Sequence, residues 1–108
     1  MITLLAAAEE VFVPSIVIGE LYFGAYKSAR SEDNRKAVET FTAGRVVLIP
    51  DADTADMYGQ IKYALRIKGR PIPENDIWIA ALAMQHDLVL LTKDQHFAEV
   101  DNLSVTQW

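Results

Sequence analysis

The sequence predicts a layered α/β domain on a small parallel sheet. Three observations carry that expectation. Residues 88–91, LVLL, show no polar alternation, which suits a strand buried on both faces of a parallel sheet. Residues 77–84, IWIAALAM, are apolar all round, so the helix they form should be covered on most sides. Four short strand candidates, at 11–13, 46–49, 88–91 and 103–107, alternate with helical stretches, the pattern of a parallel sheet with helical crossovers. At 108 residues the chain is one domain, 1–108.

The elements follow in order. Residues 2–10 read as the end of a helix, and 11–13 as a short β-prone run closed by Pro14. Ser15 is a good N-cap for a helix running to about Arg30. After the polar break at 31–34, residues 35–42 form a short helix ended near Gly44. Residues 46–49 are a buried-strand candidate stopped by Pro50. A longer helix spans 54–68, capped by Asp53 or Thr54, with Met57, Tyr58, Ile61, Leu65 and Lys68 on its inner stripe. Gly69 ends it in the C′ position, with Pro71 just beyond. The buried helix, the 88–91 strand and an acidic loop come next, and 103–107 closes the chain.

Bulk properties narrow the function. The net charge of −5 argues against a generic nucleic-acid binder, though not against an RNA-cleaving enzyme whose metal-binding carboxylates offset its basic patches. With no cysteine there is neither a disulfide framework nor a thiolate metal site. No run reaches the ~18 apolar residues of a membrane span. Residues 1–8 lack the basic start of a signal peptide, so a cytoplasmic protein is expected.

Three acids stand where chemistry would need them. Glu20 falls on the apolar stripe of its helix, with Ile16, Val17, Phe23 and Gly24. Asp76 opens the buried helix. Asp94 follows the 88–91 strand, where open α/β sheets hold ligands. Clustered carboxylates repel, which is costly unless a divalent cation sits among them. Mg²⁺ or Mn²⁺ prefers such oxygen ligands and can serve phosphodiester hydrolysis. Each acid also has a plainer role. Asp76 could favour a helix N-terminus with Asn75 as cap, Asp94 could be a turn residue, and Glu20 could pair with a nearby Lys or Arg.

The stretch PSIVIGELYFGA at 14–25 resembles the second acidic motif of PIN-domain nucleases, especially VapC-type toxins. NDIWIAALA at 75–83 resembles their third, and LLTKDQHF at 90–97 their fourth. The resemblance covers nearly the whole chain with order and spacing intact. It implies a PIN-like three-layer α/β/α fold with a short parallel sheet. It also implies a Mg²⁺-dependent (or Mn²⁺-dependent) endoribonuclease held by a cognate antitoxin and usually dimeric, with RNA as substrate. On it Glu20, Asp76 and Asp94 are the catalytic and metal-site acids, and Thr92 supports the site through its hydroxyl.

One departure stands against this pattern. The family opens with a hydrophobic strand ending in an aspartate, and nothing here matches it; Asp33, Asp51, Asp53 and Asp56 occupy the wrong places to substitute. The resemblance puts that strand at the centre of the sheet, between the 11–13 and 88–91 strands. The expectation is therefore a domain incomplete at its N-terminus, with two strand edges facing a gap and unpaired backbone groups there. Three outcomes follow: a truncated copy of a longer toxin, a dimer that pairs or swaps elements across the gap, or N-terminal residues repacked to fill it. The favoured one is an incomplete domain of weak or lost catalysis whose dimer covers the edges. The functional alternative is a catalytically inactive remnant that dimerises or binds an antitoxin.

Four other features complete the reading. Lys62, Arg66 and Arg70, beside Lys68, form a local basic cluster that could hold RNA phosphates or simply be a solvated helix face. His86 suits a helix C-terminus, and His96 positions its loop. Trp78 reads as core. Tyr22, Phe23 and Tyr26 read as packing between helices or at a dimer interface.

Overall fold

The central slot of the sheet is filled from within the chain. The computed structural model describes residues 2–107. It has β1 at Leu4–Ala6, β2 at Val11–Pro14, α1 at Ser15–Tyr26, α2 at Ser31–Thr42 and β3 at Val46–Leu48. Next come α3 at Ala52–Lys68, α4 at Glu74–Gln85, β4 at Val89–Thr92, a 3-10 helix at Gln95–Glu99 and β5 at Val105–Gln107. The strand order is β3-β2-β1-β4-β5. The pairs β2–β3 and β4–β5 are parallel. β1 runs antiparallel to both neighbours, with Leu5 opposite Phe12 on one side and Leu90 on the other. The layered α/β class is as expected, with one reversed strand at the centre of an otherwise parallel sheet.

This corrects two expectations. Residues 2–10 are not the end of a helix, and β2 and β4 face no gap. Leu, Ala and Glu favour helices, but propensity is a weak prior that tertiary context overrides. Here the context is a pair of strand edges whose backbone groups need partners. Ala7 N–H donates to Glu10 O at 3.0 Å, closing the turn that carries β1 into β2. Leu4 and Leu5 are buried in the main core with Val13, Ile79, Leu82 and Leu90. Among the described residues no unpaired interior edge remains to call for a swapped dimer.

The other elements shift in bounds and caps. Ser15 is the first helical residue rather than the cap; Pro14 precedes it, with no side-chain cap bond. Likewise Pro73, not Asn75, stands before α4. α2 begins at Ser31, four residues before the expected start. Asp51 caps α3, not Asp53 or Thr54: its carboxylate accepts the Thr54 N–H at 3.1 Å, and the Thr54 hydroxyl accepts the Asp51 N–H at 2.9 Å. That reciprocal pair is a capping box with threonine in the role usual for Glu or Gln. Gly69 takes the left-handed conformation, φ 68°, that a helix end needs. β3, expected to be buried, is an edge strand, and Val46 is 46% exposed.

Ile61 and Leu65 of α3 are buried as the stripe required, and Met57 and Tyr58 pack against the core. Lys68 points out and is tied down, its Nζ donating to Glu99 O at 2.6 Å and to Asp101 Oδ1 at 2.9 Å. α4 is the most covered helix: Ile77, Ile79, Ala80, Ala81, Leu82 and Ala83 are all buried. Trp78, expected in the core, is only half-buried and stacks on Tyr58 with centroids 4.2 Å apart.

Candidate metal centre

β4 is held between β1 and β5, so Thr92 at its end is fully buried. Its hydroxyl lies 3.0 Å from the Thr3 hydroxyl and accepts the Asp94 N–H at 3.0 Å. Asp94 in turn accepts the His96 N–H on Oδ1 at 2.9 Å, opening the 3-10 helix. These bonds fix the acidic loop just past the strand, where the sheet's crevice opens.

Asp76 comes from the first turn of α4, and its side chain is only 14% exposed. Its N–H donates to Pro73 O at 3.0 Å, so the carboxylate is free to face the loop. Burial pushes the Asp76 carboxyl above the usual carboxylate range; the nearby Asp94 charge adds to the rise, and Glu20 adds a little more. Contact with His96 acts in the opposite direction. The expected convergence of Asp76 and Asp94 is therefore present.

Glu20 sits at the rim. It is exposed, and its Oε2 accepts a long 3.5 Å contact from Asn75 Nδ2. Among the described residues, the group close enough to share one ion is Asp76, Asp94 and His96, whose ligand atoms all lie within 4.8 Å of one another. That spacing and donor set fit one divalent cation.

His96 does more than position its loop. Its Nδ1 lies 3.3 Å from Asp76 Oδ2 and 3.2 Å from Asp94 Oδ2, reaching both carboxylates. The available signal was its place two residues after Asp94, on a loop that turns back over the α4 N-terminus.

Arg70 lines an open cleft together with Asp94, Gln95 and His96. Arg66 borders a separate, apolar groove with Tyr63 and Ile72. Lys62 is engaged, with Nζ 3.1 Å from Glu74 Oε1, and it also donates to the Tyr58 hydroxyl. The expected basic cluster thus divides, and only Arg70 reaches the acidic site.

The model of the PIN domain matches residues 2–103. The chain belongs to the PIN-domain family. This PIN domain is 36% identical over 102 residues to Ribonuclease VapC2 of Haemophilus influenzae, covering 94% of this chain and 77% of that protein. It is 34% identical to the tRNA(fMet)-specific endonuclease VapC of Shigella flexneri, covering 89% of this chain and 74% of that one. Among solved structures it is similar to the DNA-bound VapBC of Salmonella typhimurium, with a TM-score of 0.86 at 34% identity over 90% of this chain and 74% of that one. Among the described residues, no helix is long and apolar enough to cross a membrane.

Proposed function

We propose that this PIN domain is a VapC-type endoribonuclease that uses Mg²⁺ or Mn²⁺. The observation that carries the proposal is the meeting of Asp76 and Asp94, 18 residues apart in sequence, at one end of the sheet. The ribonuclease names of the relatives supply the substrate class. Asp76 and Asp94 would each hold the cation through a carboxylate oxygen, with Glu20 at the rim able to hold it through a water. When bound, a divalent cation supplies a water of lowered pKa and a counter-charge for the phosphodiester. Thr92 keeps the Asp94 backbone in place by accepting its N–H. Arg70 is set to take an RNA phosphate beside the acids, while Lys62, engaged by Glu74, and Arg66, on another groove, stand apart from it.

The partners follow from the same kinship. Several similar structures are VapBC complexes, so a cognate antitoxin is proposed here too. A homodimer is proposed as well, on apolar side chains rather than strand edges. Phe23 and Tyr26 on α1, and Tyr63 and Ile67 on α3, are each more than 60% exposed. The cytoplasm is the compartment that suits this assembly.

A second reading, an inactive antitoxin-binding module, is favoured by one observation. The central strand brings Thr3, not a carboxylate, to the site end of the sheet. An RNA-cleavage assay on purified protein separates the two. Cleavage that needs Mg²⁺ or Mn²⁺ and disappears in Asp76→Asn supports the nuclease. Folded protein with no cleavage under either metal supports the binding module. Cleavage that survives both EDTA and Asp76→Asn refutes the site.

A further inference from the structure

We propose that His96 is a ligand of the ion through Nδ1, so that the site prefers first-row transition ions over Mg²⁺. The inference rests on the metal-dependent reading above and goes beyond the acids that carry it.

Geometry is the first argument. Two ligand atoms at adjacent corners of an octahedron, each about 2.1 Å from the ion, lie about 3.0 Å apart. His96 Nδ1 stands 3.2 Å from Asp94 Oδ2 and 3.3 Å from Asp76 Oδ2. The imidazole nitrogen therefore already stands at about one octahedral edge from a carboxylate oxygen of each acid. Nδ1 is also 2.9 Å from Asp94 Oδ1, so one imidazole nitrogen faces both carboxylates at once.

Position is the second argument. The His96 N–H is bound by Asp94 Oδ1, and Asp94 is itself held by the buried Thr92 hydroxyl. The backbone that carries the imidazole is thus anchored to the end of β4. The side chain is 54% exposed.

Chemistry supplies the preference. Mg²⁺ takes oxygen ligands almost exclusively and holds its waters tightly. Imidazole suits transition ions, whose affinities rise from Mn²⁺ upward through the series. Mn²⁺ is the weakest of them, so a preference visible with Mn²⁺ is the hardest version of the claim.

The test is binding to the full chain, measured by titration calorimetry with Mn²⁺ and with Mg²⁺, and by electron spin-echo spectroscopy of the Mn²⁺ form. The expected result is Mn²⁺ bound at least about tenfold tighter than Mg²⁺, with modulation from a directly coordinated nitrogen. His96→Ala should abolish the nitrogen signal and most of that preference while leaving Mg²⁺ binding nearly unchanged. His96→Gln, which restores a hydrogen-bonding group without an imidazole, should behave like His96→Ala. Nitrogen modulation absent from the wild type, or Mn²⁺ affinity undiminished in His96→Ala, would overturn the role of His96. The metal reading would still stand in that case if Asp76→Asn abolished binding of both ions. Loss of neither ion in Asp76→Asn would remove the metal reading itself.

Discussion

Leu5→Ala is the sharpest probe of the central strand. Leu5 is fully buried and is the middle residue of β1, opposite Phe12 of β2 and Leu90 of β4. Truncation removes three carbon groups, worth about 2.5 kcal/mol of transfer free energy at about 0.8 kcal/mol each. The hole left in the core between β2 and β4 adds a cavity term, because the surrounding structure relaxes only partly around a missing side chain. The expected loss is about 3 to 4 kcal/mol, a large share of the ~5–15 kcal/mol that holds a typical domain together. Urea unfolding followed by circular dichroism measures it, with Thr106→Ala on the exposed edge strand β5 as a control expected within about 0.5 kcal/mol of wild type. A Leu5→Ala loss below about 1 kcal/mol, with an unchanged denaturant slope, would show that residues 4–6 are not seated in the sheet. The account of the filled slot would then fall.

Four other outcomes are expected. With EDTA present, Asp76→Asn should raise the melting temperature at neutral pH. The folded-state pKa of Asp76 is raised, so wild-type stability falls as pH climbs from the ordinary carboxylate range through that raised value, and Asp76→Asn should flatten the fall; a steeper one would contradict the burial argument. Thr92→Val removes the hydroxyl that accepts the part-buried Asp94 N–H and meets Thr3, so it should cost about 1–2 kcal/mol and also weaken Mn²⁺ binding in calorimetry. Glu20→Gln should reduce Mn²⁺ affinity less than Asp94→Asn does, since Glu20 stands outside the group of converging ligand atoms; equal losses would place it in the inner shell. Arg70→Ala should weaken binding of single-stranded RNA more at low than at high salt, lowering the salt slope by about 0.7 for one phosphate contact, whereas Arg66→Ala should do little.

The sequence was informative where residue type and position agreed. The apolar run at 77–84 and the Asp-bearing ends of α4 and β4 all stand as read. β1 was not legible, because Met-Ile-Thr-Leu-Leu-Ala-Ala-Ala favours a helix and three residues carry too little alternation to signal a strand. What makes them a strand lies elsewhere in the chain, in the unpaired faces of β2 and β4. The apolar run at 46–49 promises burial, yet β3 forms an edge of the sheet. Composition tells which residues prefer a strand but not its rank in the sheet order. The role of His96 is hidden for a related reason: its contact with Asp76 spans 20 residues and depends on how the loop folds.

The direction of β1 decides what the centre of the sheet can contribute to the site. Leu4 pairs with Leu91 and Ala6 with Val89, so the next pair toward the site is Thr3 with Thr92. A parallel strand in that slot would bring its C-terminal end to the crevice, where the family pattern has an aspartate. The reversed strand brings its amino end instead, and that end is a hydroxyl. The result is a chain of hydrogen bonds from Thr3 to Thr92, from Thr92 to Asp94 and from Asp94 to His96. A hydroxyl in that place adds no like charge beside Asp76, whose charged form burial and the neighbouring Asp94 already oppose. It also leaves the imidazole as the nearest further donor to those two acids.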